Sequence, residues 1–299
     1  MLKKQVSLLI AGLLGLAMWA GTAAAQNDPT YKTLDYPGAI ATLLQGINPE
    51  GQIVGGYTDA AGMTHGFLLD HGRWTAINYP GAMRTLATGI NPQGDIVGNF
   101  YFANGEGLVP RNQHGFLLTD GTFTEIQGPG YMGTIAQRIT PTGQIYGCVH
   151  NLDYGANMRG FARFPDGSWS IIGTLSSMSN GPTPDGSFIA GLYTDLSTGH
   201  THGYIIMNGM FESFDVPGSL LTQAWDANPQ EDVVGTYEDA SQKVHGFLLS
   251  DGQFTTIDYP GATSTQVRGI NPEGDIVGFY TAAGKTHGFL RIAHGGGNF

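Results

Sequence analysis

Residues 245–261 read HGFLLSDGQFTTIDYPG, and versions of this segment recur along the whole chain. Two short strand-like runs flank the pair Asp251-Gly252, and such pairs tolerate the positive φ angles of a two-residue hairpin turn. The segment therefore predicts two antiparallel strands joined by a tight turn. A corner at Tyr259-Pro260-Gly261 then leads into the next copy.

Each copy carries two further runs. In the last copy the first run ends in Gly269-Ile270-Asn271-Pro272, and after a turn the second reads Asp275-Ile276-Val277-Gly278. Helix is disfavoured because Gly or Pro falls every few residues and no 3.6-residue apolar period is sustained. The copies align on Pro49, Pro92, Pro141, Pro184, Pro229 and Pro272, spaced 43, 49, 43, 45 and 43 residues apart. A period of this length is typical of a solenoid or a propeller.

Four strands in each of six copies predict an all-β fold, a six-bladed β-propeller of four-stranded antiparallel blades over residues 26–292. The chain begins partway through the repeat, and the last copy stops after its third run. Residues 30–34 are therefore expected to pair in the last blade and close the ring, which removes an exposed sheet edge. A β-solenoid is the alternative and would need no borrowed strand. Residues 293–299 are expected to form a flexible Gly-rich tail.

Residues 1–25 have the features of a secretory signal peptide. Lys3 and Lys4 precede an apolar stretch over residues 6–19, and Ala23-Ala24-Ala25 forms a small-residue cleavage site. A transmembrane anchor is the alternative, but the apolar run is short of the roughly 20 residues that span a bilayer. The mature chain is therefore expected to be secreted or periplasmic and not inserted in a membrane.

The chain is acidic, with 13 Lys and Arg against 24 Asp and Glu and a net charge of −11. Cleavage after residue 25 would remove two lysines and leave a net charge of −13. Nucleic-acid binding needs clustered Lys and Arg against phosphate, so this composition argues against nucleic acids and anionic membranes as partners. We expect a monomer.

Cys148 is the sole cysteine, so an internal disulfide is impossible. Cys148 and His150 are two residues apart in a predicted strand and share one face. A Cys–His nucleophile is conceivable there, but a small buried residue is the favoured interpretation of Cys148.

Taken together, the repeated segments resemble the extracellular HAF-repeat family, which is named for a His-Ala-Phe core. Here the core is mostly His-Gly-Phe, as at residues 65–67 and 245–247, and residues 269–278 are similar to the family's other hallmark. The resemblance covers nearly all of residues 30–292. It implies secretion and a repeated β fold, and it implies neither an established reaction nor any catalytic residue.

A histidine opens the third strand in five copies: His65, His114, His202, His245 and His287. These imidazoles could form a metal-binding ring, or each could be hydrogen-bonded within its blade, on the same face as the Asp or Asn that begins a corner. Zinc needs three or four ligands at about 2 Å from one ion. One His per blade is dispersed around the ring, so the structural role is favoured and no metal is expected.

Positions at which the copies differ are the candidates for ligand binding. The first strand of each blade lines the central channel, and its variable residues lie just before Gly-Ile-Asn-Pro or its equivalent: Gln45, Thr88, Gln137, Asn180, Trp225 and Arg268. Beside them, Arg138 and Asp226 stand where most copies have Gly. An Arg, a Trp and an Asp in one funnel could bind a sugar, a carboxylate or a peptide end, or could merely line a wet channel.

Acidic residues in the loops between second and third strands offer another candidate site. Asp59, Asp195 and Asp239 occupy comparable loops, and Glu106 lies in a longer insertion. Calcium takes six to eight oxygen ligands, so calcium binding is conceivable. Solvated surface acids are the favoured interpretation, and no cofactor is expected.

These features favour a noncatalytic protein that binds a small molecule, a glycan or a protein through its loop-bearing face and central funnel. The alternative is an extracellular hydrolase or lyase that acts on a carbohydrate or lactone. Arg138, Asp226 and Arg268 would then be its acid–base and oxyanion-binding residues. A structural component of the envelope or matrix is a third possibility. The binding role is favoured because the sequence concentrates no acid–base or metal-ligand set.

Overall fold

The computed structural model describes residues 29–102, 113–151 and 158–293. Within these ranges all regular secondary structure is β, in 24 strands. The predicted signal peptide and residues 294–299 of the predicted tail lie outside the described residues. No helix long and apolar enough to cross a membrane occurs in the ranges given above.

We group the strands into repeat units of four. Unit 1 has β2 (Ala41–Ile47), β3 (Ile53–Thr58), β4 (Thr64–Asp70) and β5 (Arg73–Ile77). Unit 2 has β6 (Ala82–Ile90), β7 (Ile96–Phe102), β8 (Gln113–Thr119) and β9 (Thr122–Ile126). Unit 3 has β10 (Gly133–Ile139), β11 (Ile145–His150), β12 (Arg159–Arg163) and β13 (Trp169–Leu175).

The remaining units follow the same pattern. Unit 4 has β14 (Ser177–Pro182), β15 (Phe188–Thr194), β16 (Thr201–Met207) and β17 (Met210–Phe214). Unit 5 has β18 (Leu221–Ala227), β19 (Val233–Glu238), β20 (Val244–Ser250) and β21 (Gln253–Ile257). Unit 6 has β22 (Ser264–Ile270), β23 (Ile276–Ala282) and β24 (Lys285–Ile292), and β1 (Thr30–Thr33) pairs with β24.

Units 2 to 5 are separate four-stranded antiparallel sheets. Units 1 and 6 belong to one eight-stranded sheet, joined by a single parallel pair between Ala41 of β2 and Thr286 of β24. Strand β1 is antiparallel to β24, with Thr30 opposite Ile292 and Thr33 opposite Phe289. This is the pairing that the displaced start of the repeat predicted.

A glycine on the second strand makes room for an aromatic ring from the third. Gly55 pairs with Phe67, and a Cβ added at Gly55 would lie 2.7 Å from the Phe67 ring. Gly235 and Phe247 repeat the arrangement in unit 5, where the corresponding distance is 2.6 Å. This close approach explains why the second run ends in Gly and the third run contains Phe.

Most hairpin turns have the predicted geometry. Asp120-Gly121 and Asp251-Gly252 have positive φ at both residues, as a tight two-residue turn requires. Asp166-Gly167 differs, because only Gly167 has positive φ and β12 already ends at Arg163. The extra residues Phe164 and Pro165 lengthen this connection, so the prediction of a two-residue turn was wrong here.

The core lies between neighbouring units. One buried cluster joins Val54 and Ile77 of unit 1 to Phe100 and Phe116 of unit 2. Another joins residues of unit 1 to Leu290 and other residues of unit 6. The first strands of consecutive units also contact each other, and β22 contacts both β18 and β2. Burial between sheets therefore holds neighbouring units together.

The up-and-down order gives every unit two distinct ends. The corner before the first strand and the loop between the second and third strands lie at one end, which we call the corner face. The turn after the first strand and the hairpin between the third and fourth strands lie at the other end, the turn face. The five repeated histidines open the third strand and so lie toward the corner face.

Candidate functional site

Each first strand carries a β-bulge at the same register position. In β2 the pairing skips one residue between Leu44 and Gly46, and it does so at the equivalent point of the other five first strands. A bulge residue is left out of the ladder and its side chain is re-aimed. The skipped residues, here called the bulge residues, are the predicted ligand-binding positions Gln45, Thr88, Gln137, Asn180, Trp225 and Arg268.

The first strands approach each other closely beside the bulges. A Cβ placed on Gly46 would lie 2.8 Å from the carbonyl oxygen of Thr88 and 3.3 Å from Cα of Gly89. A Cβ placed on Gly269 would lie 3.1 Å from the carbonyl oxygen of Gln45 and 3.2 Å from Cα of Gly46. Units 6 and 1 therefore pack at this level much as units 1 and 2 do. These backbone contacts explain the repeated glycine after the bulge.

Arg138 and Asp226 replace this glycine in units 3 and 5 and form an ion pair. Nε of Arg138 lies 3.1 Å from Oδ1 of Asp226, and the two side chains are only 11% and 9% exposed. The guanidinium has five N–H donors in a planar fork. Its other nitrogens donate to the backbone carbonyls of four bulge residues: Nη1 to Thr88 (2.7 Å) and Gln137 (2.9 Å), and Nη2 to Gln45 (3.1 Å) and Arg268. Arg138 thus ties together units 1, 2, 3, 5 and 6.

Both oxygens of Asp226 are engaged by protein groups. Oδ1 accepts the backbone N–H of Ala227 at 3.1 Å, and Oδ2 accepts that of Ile270 in unit 6 at 3.2 Å. Burial raises the pKa of the Asp226 carboxyl, and the charge of Arg138 opposes this shift. A ligand that bound this carboxylate would have to displace these contacts.

Arg268 lies against aromatic rings. Its guanidinium carbon is 3.9 Å from the ring centre of Trp225 and 5.3 Å from that of Phe279, within the range of cation–π attraction. Nη2 donates to Oε1 of Gln266 at 2.6 Å. Burial, assisted by repulsion from Arg138, lowers the pKa of Arg268 to about 9.

Three of the bulge residues have a buried polar atom without a hydrogen-bond partner among the described residues. These atoms are Oδ1 of Asn180, Nε1 of Trp225 and Nε of Arg268. They belong to the consecutive units 4, 5 and 6, and each such atom costs roughly 1–3 kcal/mol if nothing satisfies it. Arg268 lies on the ring of Trp225, and Nδ2 of Asn180 binds the carbonyl of Ala224, so this acceptor and these two donors belong to neighbouring residues.

This polar group points toward the corner face. Trp225 packs against a cluster that contains Met178 and Cys148, which precede the bulge level on the corner side. Arg268 reaches Gln266, two residues nearer the start of β22. At the turn face, the six aligned prolines with Arg138 and Asp226 line a cavity of only about 90 Å³. Ligand pockets are typically about 300–1,000 Å³, so this turn-face cavity is too small for a ligand of ordinary size.

The other predicted bulge residues have structural contacts. Oγ1 of Thr88 donates to the carbonyl of Ala136 in unit 3 at 2.6 Å, and Nδ2 of Asn180 donates to that of Ala224 in unit 5 at 2.9 Å. Gln45 and Gln137 contribute the carbonyls that Arg138 binds. Among the six bulge residues, Asn180, Trp225 and Arg268 are therefore the ones with a polar atom that has no hydrogen-bond partner among the described residues.

The repeated histidines bind the residues that begin the corners. Nδ1 of His65 lies 2.7 Å from Asn78, and the equivalent distances are 2.8 Å for His202 to Asp215, 2.9 Å for His245 to Asp258 and 2.8 Å for His287 to Asp35. His114 differs and lies 2.7 Å from Glu125 of β9. These contacts are those expected for a histidine that holds its own corner. In the part of the chain that the structure describes, no three His, Cys, Asp or Glu side chains are grouped to hold a metal.

The loop acids close their own loops. Oδ1 of Asp59 accepts the N–H groups of Ala61 and Met63, and Oδ1 of Asp195 accepts that of Ser197. Asp239 does the same for Ser241, and its Oδ2 lies 3.2 Å from Nε2 of His245. The three acids belong to different units, and Glu106 lies outside the described residues. Calcium binding by these acids stays a prediction.

Cys148 is fully buried among Met158, Met178 and Leu192. Burial raises the pKa of its thiol and lowers the pKa of His150. A nucleophilic cysteine needs a lowered pKa, so these surroundings disfavour thiolate chemistry at this position.

The sequence analysis did not identify two side chains that contact Arg268, namely Gln266 and Phe279. Phe279 follows Gly278, and the residue after the corresponding glycine varies among the units, for example Gly56 in unit 1 and Asn99 in unit 2. This variability is the same signal that marked the bulge residues and could have identified Phe279.

No known protein-family profile matches the sequence, and no curated protein does. Similar solved structures include a gluconolactonase from Xanthomonas campestris, 16% identical over 89% of this chain and 90% of that chain, with a TM-score of 0.54. TolB from Acinetobacter baumannii is 12% identical over 80% of this chain and 63% of that chain, with a TM-score of 0.57. A luciferin-regenerating enzyme is 11% identical over 89% and 96%, with a TM-score of 0.52. At these identities the similarity shows the fold alone, and the fold is a β-propeller.

Proposed function

We propose that the chain forms a six-bladed propeller whose ring is closed by β1. The contacts of β22 with β2, and the packing of Gly269 against Gly46, support this arrangement. The eight-stranded sheet then consists of two blades that touch through the single pair of Ala41 and Thr286. The last blade is completed by β1, so that no unpaired edge remains on β24.

Within this ring, the corner-side half of the channel binds a small polar ligand without transforming it. The observation that carries this proposal is that the bulge residues of three consecutive units leave Asn180 Oδ1, Trp225 Nε1 and Arg268 Nε buried and without a hydrogen-bond partner among the described residues. A carboxylate would accept hydrogen bonds from Arg268 and Trp225, and a hydroxyl would donate to Asn180. A sugar acid offers both groups. We therefore place sugar acids first among candidate ligands.

A noncatalytic role agrees with the contacts of Arg138 and Asp226. A general acid or base must come within hydrogen-bond reach of the reacting atom. Asp226 is already bound by Arg138 and two backbone N–H groups, and four bulge carbonyls occupy the Nη atoms of Arg138. We infer that this pair holds the blades together.

Isothermal titration with gluconate, glucuronate and galacturonate tests the binding site, with glucose and acetate as partial ligands. Trp225→Phe keeps the ring and removes the N–H, and should weaken binding by about 2- to 12-fold, equivalent to 0.5–1.5 kcal/mol. Arg268→Gln should weaken it further, since the lost hydrogen bond is to a charged group. Gln45→Ala, at the bulge of unit 1, is the matched control and should leave affinity unchanged. Binding that survives both channel variants would refute the assignment.

A second candidate function is an extracellular hydrolase or lyase acting on a lactone or carbohydrate. The specific observation in its favour is the fold similarity to a gluconolactonase. A pH-stat assay with gluconolactone and related lactones tests it directly. Turnover by the wild-type chain that is abolished in Asp226→Asn, with the fold intact, would replace the binding proposal.

We also propose that the protein is exported, as the first 25 residues and the resemblance to the HAF-repeat family imply. The precursor should be processed after Ala25. N-terminal sequencing of the chain recovered from the periplasm or the medium should begin at Gln26. Recovery of the unprocessed chain from the cytoplasm would contradict export.

A further inference from the structure

In units 1, 3, 5 and 6 the residue just before the first strand occupies the same place in its corner. The N–H of Ile40 donates to the carbonyl of Thr58 on the second strand, and Met132, Leu220 and Thr263 make the equivalent bond in units 3, 5 and 6. Alignment on the repeat prolines adds the residues of units 2 and 4. The complete set is Ile40, Met83, Met132, Leu175, Leu220 and Thr263.

Five of these six residues are large and apolar, although they are not buried in the core. Ile40 is 56% exposed, Met132 46%, Leu175 38% and Leu220 44%. Repeated apolar residues elsewhere, such as Phe67 and its equivalents, are explained by burial between sheets. Packing gives no such reason for the corner residues, and their recurrence at one face of the molecule is the feature that points to a contact site. We call the five apolar members of this set the apolar ring. Three of them directly precede a first strand, whereas Met83 is the second residue of β6 and Leu175 ends β13.

Acidic residues surround the apolar ring. Asp35, Asp215 and Asp258 begin three of the same corners and are partly exposed. The loops beside them carry Asp59 and Asp239, which are also partly exposed. Two lysines lie on the same face: Lys243, 3.5 Å from Asp258, and the exposed Lys285 at the start of β24. Among the described residues the corner face therefore combines exposed apolar residues with a mainly acidic rim, in a chain whose net charge is −11.

We propose that the corner face binds a protein segment that combines apolar side chains with Lys or Arg. The apolar side chains of the segment would cover the ring, and its cations would pair with the rim. An anionic membrane would be repelled by the rim, and a second copy of this chain would set one acidic rim against another. This inference rests on the proposed binding function and deepens it by naming a second ligand, which would bind at the same face of the molecule but to residues other than Trp225 and Arg268.

Two 12-residue peptides test the proposal, each with the same Leu and Phe content but one with Lys and the other with Glu. Surface plasmon resonance with the mature chain should show at least tenfold tighter binding of the Lys peptide. The double variant Ile40→Ser, Leu220→Ser should weaken that binding at least tenfold. Met210→Ser is the matched control, because Met210 is 66% exposed but begins β17 at the turn face, and it should have no effect.

Several results would overturn the proposal. These are equal binding of the two peptides, absence of binding, or equal losses in the double variant and the control. Binding to vesicles of phosphatidylcholine and phosphatidylglycerol that the double variant loses would assign the face to a membrane. A concentration-dependent dimer in sedimentation that the double variant loses would assign it to self-association. Circular dichroism checks the fold of each variant. Sugar-acid titration of the double variant then separates the two proposals, because channel binding should be retained when peptide binding is lost.

Discussion

The ion pair between Arg138 and Asp226 predicts a large, coupled loss of stability when either partner is removed. Asp226→Asn keeps the shape of the side chain but leaves the Arg138 charge in a nearly dry site. Removing one partner of a buried pair costs about 3–5 kcal/mol. A chain of this size loses roughly 2 °C in Tm per kcal/mol, so Tm should fall by about 6–10 °C.

Arg138→Gly should be at least as destabilising. It leaves Asp226 unpaired, and four bulge carbonyls lose their donors. The double variant Arg138→Gly, Asp226→Gly puts at both positions the residue that the other four units have there. The double variant removes both charges together. Its decrease in the free energy of unfolding should therefore be smaller, by about 2 kcal/mol or more, than the sum of the decreases in Arg138→Gly and Asp226→Gly. Each added glycine contributes roughly 0.5–1 kcal/mol of unfavourable backbone entropy, which the comparison must include.

Urea unfolding at pH 7, followed by circular dichroism, gives the four free energies of this cycle. A change below about 1 kcal/mol for Asp226→Asn would refute the buried-pair reasoning, and so would strictly additive losses. The same samples serve the lactone assay. A stable Asp226→Asn variant with no turnover, against an active wild type, would mark Asp226 as catalytic.

Four further predictions concern single groups. His245→Ala removes the contacts of both ring nitrogens with Asp258 and Asp239 and should lower the free energy of unfolding by about 1–3 kcal/mol, without loss of bound metal by elemental analysis. His200→Ala, at an exposed position, is the control and should have little effect. Thr33→Val removes hydroxyl contacts of 2.7 and 2.8 Å from β1 to two tyrosines and should cost about 0.5–1.5 kcal/mol in urea unfolding, whereas an unchanged midpoint would argue against closure by β1. The buried thiol of Cys148 should react with Ellman's reagent only after unfolding, and rapid labelling of the native chain at pH 8 would contradict its placement. Hydrogen bonds from Ser241 and neighbouring groups hold the pKa of the Asp239 carboxyl below its ordinary value of about 4. The stabilising effect of the ionised carboxylate is therefore present above that pH and is lost as the pH falls through the folded-state pKa. Asp239→Asn should therefore flatten the acid side of a Tm–pH curve.

The local features of the fold could be predicted from the sequence. Pairs such as Asp251-Gly252 favour positive φ whatever surrounds them, so they place the hairpins. The displaced start of the repeat predicted that β1 pairs with β24, because a repeat that lacks its fourth strand must recover it elsewhere. Asp166-Gly167 shows the limit of this reasoning, since the preceding Pro165 changes the turn that the same pair forms.

The positions that fall on the bulges could also be predicted, but the contacts of the residues there could not. Variation among the copies identified all six bulge residues. A bulge residue is not paired in the ladder, so it is free of the pairing constraint that keeps the neighbouring residues the same in every copy. The same variation did not distinguish Arg138, whose guanidinium binds backbone carbonyls, from Arg268, which stacks on Trp225 with Nε unpartnered among the described residues.

The sequence by itself determined the strands, their turns and the unit to which each belongs, because backbone preference and hairpin chemistry act over a few neighbouring residues. Only the tertiary structure decided which polar atoms are satisfied. Arg138 and Asp226 come from different units and meet only when the first strands pack edge to edge. Whether a side chain supports the blades or faces a ligand depends on the direction that each bulge gives it and on the partners that neighbouring units bring within reach.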